Sequence, residues 1–137
     1  MRLRLLVLAV LPFVTSSAAA QLVAAPDASP IGTWRGTSRC VVRQAGCEDG
    51  IVVYRIELKG KRDSLAIDMK KVVGGREENA GLMACQLNAA RAYITCVVRD
   101  GKWRMRVRHD TLVGQMRLPD GTWLLDVQAV RSPEGKQ

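Results

Sequence analysis

From Ile31 onward the chain alternates apolar and polar residues in short runs, and turn dipeptides separate the runs. Period-2 alternation marks a strand with one buried face, and no segment sustains the 3.6-residue period of a helix. The runs predict strands at 32–42, 51–59, 64–72, 82–88, 93–99, 102–108, 111–118 and 122–131. Eight strands joined by short loops give an all-β, up-and-down antiparallel arrangement. Between the third and fourth strands, residues 73–81 carry Gly74, Gly75 and Gly81 and read as a mobile loop.

The hairpin registers check one another. Placing Asp100-Gly101 at a turn tip sets Val98 opposite Trp103, Cys96 opposite Met105 and Ile94 opposite Val107. His109-Asp110 at the next tip sets Val107 opposite Leu112, Met105 opposite Gly114 and Trp103 opposite Met116. A one-residue slip would reverse every face, so the agreement supports both registers. Pro119 permits either a two- or a three-residue loop within 118–122, and that register stays open.

The inward face collected in this way is apolar almost throughout and includes Trp34, Ile56, Leu58, Ile67, Leu112 and Val127. No amphipathic helix is available to cover it. Closing the sheet into a barrel covers that face and removes the exposed edges. Eight-stranded barrels are either filled by side chains or hold one small ligand. Tyr54, Met69, Trp103, Met105, Met116 and Trp123 are the interior positions that could face an apolar ligand, methionine being adaptable. A packed core would use the same residues.

Cysteine content changes the picture next. Cys40, Cys47, Cys85 and Cys96 are an even set, and a four-residue loop at 89–92 opposes Cys85 with Cys96. The expectation is two disulfides, Cys40–Cys47 and Cys85–Cys96. Zinc is disfavoured because C-x-x-C spacing is absent and His109 is the only histidine. Disulfides suit an exported chain, and the N-terminus agrees. Arg2 and Arg4 precede an apolar run at 5–14, followed by small residues ending at Ala20. That pattern reads as a signal peptide at 1–20, since so short a run falls well below the roughly 20 residues of a membrane span. The remaining expectation is a flexible leader at 21–30, one barrel domain at 31–132 and a tail at 133–137. A location outside the cytoplasm is expected.

Charge adds one candidate surface. The chain carries a formal net charge of +8. Strand parity sends Trp103, Met105 and Val107 inward and lines Lys102, Arg104, Arg106 and Arg108 along the outer wall. Arg99 and Arg117 should lie beside them. Such a row could hold phosphates or carboxylates of an anionic envelope polymer or a protein partner through forked hydrogen bonds. It could equally be a solvated face that keeps the barrel soluble. Without aromatic residues interleaved on that face, nucleic acid is a poor fit. Catalytic groupings are also missing: there is no inward carboxylate pair, no Ser with a His partner and no phosphate loop. The chain therefore reads as a binding module without a cofactor and not as an enzyme.

Gly32-Thr33-Trp34 at the start of the first strand resembles the G-x-W signature of lipocalin and wider calycin barrels. That resemblance implies a Trp plugging one barrel end with a basic residue packed across it near the end of the last strand, and Arg131 matches the second role. The Gly-Thr-Trp motif, the four cysteines, Gly101-Lys102-Trp103 and Leu118-Pro119-Asp120-Gly121-Thr122 are also similar to a group of small exported bacterial proteins of uncharacterised function. This second likeness implies an envelope setting, in the bacterial periplasm or the extracellular space, and no particular activity. Small periplasmic lysozyme inhibitors are disulfide-bearing barrels too, but a basic chain is poorly matched to a basic lysozyme.

Overall fold

A computed structural model describes residues 29–133 apart from 45, 62 and 89–92. The expected signal peptide, most of the expected leader and nearly all of the expected tail lie outside the described residues. Eight strands follow in order: β1 Gly32–Cys40, β2 Gly50–Leu58, β3 Ser64–Val73, β4 Arg76–Leu87, β5 Ile94–Val98, β6 Gly101–Arg108, β7 Thr111–Arg117 and β8 Trp123–Arg131. Each pairs antiparallel with the next, and β8 pairs with β1, so the sheet is a closed barrel. Both disulfides form as expected, and no cysteine among the described residues is free.

Alternation explains where the core sits. Along β6 the odd positions 101, 103, 105 and 107 are buried, while Lys102, Arg104 and Arg108 are exposed and Arg106 is half-buried. The β6–β7 register is the expected one, with Val107 opposite Leu112, Met105 opposite Gly114 and Trp103 opposite Met116. In the β4–β5 ladder Cys85 faces Cys96 with their Cα atoms 4.3 Å apart. Val53 is an addition to the expected core: it is buried between Val52 and Tyr54 despite its outward parity. Its neighbours across the two ladders are Arg35 and Lys70, whose long aliphatic stems suit such a position.

Four expectations need correction. The stretch 73–81 is not a loop: β3 runs to Val73, β4 begins at Arg76, and only Gly74-Gly75 form the turn. Both glycines have positive φ, 56° and 80°, the conformation a tight two-residue hairpin demands. Next, the β5–β6 hairpin turns at Arg99-Asp100, with Val98 opposite Gly101, Cys96 opposite Trp103 and Ile94 opposite Met105. This shift of two preserves every face. Gly101 enters the sheet, where a Cβ would overlap the Arg117 carbonyl oxygen, so the glycine serves close strand approach and not the turn.

The third correction is Trp123. A register shift between β7 and β8 leaves Leu124 unpaired, and Trp123 pairs with outward Arg117. Trp123 is therefore 37 % exposed, while Leu124 takes the buried position. Finally, Leu58 keeps inward parity opposite Leu65, but it is the last residue of β2 and remains 58 % exposed at the barrel's end.

Candidate ligand site at the open end

The two ends of the barrel differ. At one end lie the start of β1, the end of β8 and the β6–β7 turn, and here Trp34 is fully buried. Its indole N–H donates to the Pro30 carbonyl at 2.9 Å. The Arg131 guanidinium lies 4.3 Å from the Trp34 ring centroid. Arg131 also donates to the carbonyls of Ile31 and Ser29, at 2.8 and 2.6 Å, and pairs with Asp110 at 3.3 Å. Ser29 and Pro30, read from sequence as the last of a flexible leader, thus supply acceptors to this closed end.

The opposite end is open. A cavity of about 460 Å³ enters there, with Tyr54, Met69, Trp103 and Met116 on its wall together with Leu125 and Ser38. This volume falls within the range of small-molecule pockets. Four of the six interior candidates are therefore brought together. Met105 is buried deeper, paired with Ile94 and Gly114, and Trp123 lies outside the barrel. Ser38, Val52 and Leu124 complete the wall and were missed. Ser38 was recoverable, because Trp34, Gly36 and Ser38 share one face of β1.

Polar groups are sparse in the cup and concentrate at its mouth. Burial raises the Tyr54 phenol well above its ordinary range, so the hydroxyl stays protonated throughout the physiological range. Neither the Tyr54 nor the Ser38 hydroxyl has a hydrogen-bond partner among the described residues. Gln44, Gly46, Cys47 and Glu48 line the rim, on the β1–β2 connection that Cys40–Cys47 cross-links. Asp49 ties the same loop to β1 by accepting from the Cys40 amide at 2.7 Å. Lys70, Lys71 and Asp100 also border the cavity. His109 sits in the β6–β7 turn at the closed end, with φ 53°, and is exposed. It does not share a site with Tyr54.

The arginine wall is partly assembled. Lys102, Arg104, Arg106 and Arg108 all point outward. Arg99 is exposed in the β5–β6 turn. Arg117 is drawn aside, donating to the Gly121 carbonyl at 3.2 Å and lying 5.8 Å from the Trp123 ring. The face is not free of aromatics, contrary to expectation: Arg104 lies 3.9 Å and Arg106 5.4 Å from the Tyr93 ring centroid. Tyr93 precedes β5 by one residue and shares the outward parity of Thr95 and Val97. No protein-family model matches the chain, and it has no match among curated proteins.

Proposed function

We propose that this chain is an exported, non-enzymatic binding module of calycin-like construction that holds a small, largely apolar molecule in its open end. The observation that carries this reading is the cavity of about 460 Å³ walled by Tyr54, Met69, Trp103 and Met116, opposite an end sealed by Trp34. Aromatic and thioether side chains favour apolar matter, and the two unpartnered hydroxyls can orient one polar group on it. Export is supported by the signal-like N-terminus and by two disulfides, which persist in oxidising compartments.

Uptake of an apolar fluorescent probe tests the reading. Met69→Trp and Met116→Trp enlarge side chains on the cavity wall and should lower probe affinity tenfold or more, with the melting transition retained. Arg104→Gln with Arg106→Gln, on the outer wall, should leave uptake unchanged. Equal uptake by wild type and both Trp variants would remove the cavity from consideration.

A further inference from the structure

We infer that the outer wall of β6, β7, β8 and β1 carries a second site, a groove that binds an acidic oligosaccharide. The groove has a volume of about 500 Å³ and runs from Tyr93 and the β6 arginines to Arg39 on β1. From β6 to β1 it crosses three inter-strand spacings, roughly 14 Å at about 4.8 Å each. That length suits an extended chain of a few sugar rings better than a single small ion.

Its cations await a partner. Arg39, Arg104 and Arg106 all line the groove, and none has a carboxylate within ion-pairing distance among the described residues. Arg106 goes further, since its Nε is buried with no hydrogen-bond acceptor among the described residues. A buried donor without a partner costs stability, so the side chain gains by turning toward an acceptor in the groove. Stacking on Tyr93 holds the Arg104 guanidinium in one orientation. A fixed planar fork of this kind matches a carboxylate or sulfate edge.

The remaining lining selects among anions. Gln115 and Gln128 lie on the intervening strands, Thr37 is beside Arg39 on β1, and Asp126 faces Arg39 across the β1–β8 ladder. Asp126 is fixed by the Trp123 indole, which donates to its Oδ1 at 2.9 Å. A carboxylate inside the groove, opposite Arg39 in the β1–β8 ladder, repels a uniformly charged polyphosphate. It accepts hydrogen bonds from hydroxyls, as the two glutamines both accept and donate them. Alternating acid groups and hydroxyls describe an acidic sugar chain. Nucleic acid fits less well, because the one aromatic ring of the groove is already occupied by Arg104. An acidic peptide could not add as a strand, because the barrel is closed and offers no edge.

Titration calorimetry with the folded chain tests this. The probes are a galacturonate hexamer, a sulfated hexasaccharide, the neutral methyl ester of the first, a polyphosphate of equal charge, hexaglutamate and a thymidine hexanucleotide. At least one acidic sugar should bind, the methyl ester should bind tenfold or more weakly, and affinity should fall as salt rises. Arg104→Gln with Arg106→Gln should lower acidic-sugar affinity at least tenfold while apolar-probe uptake at the open end is retained. Asp126→Asn should weaken the sugar and strengthen the polyphosphate, a sign reversal that a purely electrostatic patch would not give. The proposal is overturned by tighter binding of polyphosphate, peptide or nucleotide than of either acidic sugar. Indifference to the arginine changes, or no binding of either acidic sugar, overturns it as well.

Discussion

The two ends of the barrel are built by the same eight strands, yet they leave their polar groups in opposite states. At the closed end, Nε, Nη1 and Nη2 of Arg131 each have an acceptor, and its guanidinium plane lies over Trp34. At the open end, the Tyr54 and Ser38 hydroxyls face a cavity with no partner among the described residues. A satisfied network rigidifies the part of the structure it joins, whereas unpartnered groups around a cavity await something else. On the proposed function, the closed end serves stability and the open end recognition.

The largest effect should come from the closed end. Trp34→Ala removes a fully buried indole and should cost about 3–5 kcal/mol. For a domain of this size each kcal/mol lowers the melting temperature by roughly 4–8 °C. Arg131→Met should cost less, the cation–π contact contributing about 0.5–2 kcal/mol. Thermal melts of both variants measure the difference. A Trp34→Ala chain melting with the wild type would show that this end does not hold the barrel together.

The disulfides sharpen the comparison, because they sit differently. Cys85 and Cys96 are buried in the core, 3 % and 0 % exposed, whereas Cys47 lies at the rim of the cavity. Each closes a short loop and should contribute about 2–3 kcal/mol on the chain-entropy account. Replacing either pair by alanine should therefore lower stability by similar amounts. Hydrogen exchange should separate them: losing Cys40–Cys47 should speed exchange in residues 41–49 and alter probe uptake, while losing Cys85–Cys96 should speed exchange across the barrel. A uniform increase in both variants would mean that the rim is not an independent element.

Much of this was legible in the chain, and the errors have identifiable causes. Alternation and turn dipeptides carry face and strand order, so the eight-strand barrel and both cysteine pairs could be read directly. Parity tolerates a shift of two, so placing Gly101 at a turn tip misaligned β5 and β6 without misplacing one inward residue. A bulge has no comparable mark. The unpaired Leu124 reverses parity for Trp123, and nothing in Gly121-Thr122-Trp123-Leu124 announces it. The open cavity was only half legible: Tyr54, Met69, Trp103 and Met116 were identifiable as inward, but whether inward residues meet depends on barrel geometry. The outer groove was the least legible, since Arg39 and Arg104 come from strands that are not neighbours in the sheet.

The smallest stability effect should be the most informative about the open end. Tyr54→Phe deletes one hydroxyl and leaves the ring that packs against Met69 and Trp34 in the paired strands. Where a buried hydroxyl is hydrogen-bonded, its loss typically costs about 0.5–1.5 kcal/mol. The Tyr54 hydroxyl has no such bond among the described residues, so the variant should stay within about 0.5 kcal/mol of wild type. Affinity should respond differently. A probe with one hydrogen-bonding group should bind Tyr54→Phe severalfold more weakly, while a purely hydrocarbon probe should bind it as well as wild type. Paired melts and titrations with the two probes read both quantities. A clear loss of stability would mean that this hydroxyl serves the fold as the Trp34 indole N–H does, and the division of labour between the ends would not hold.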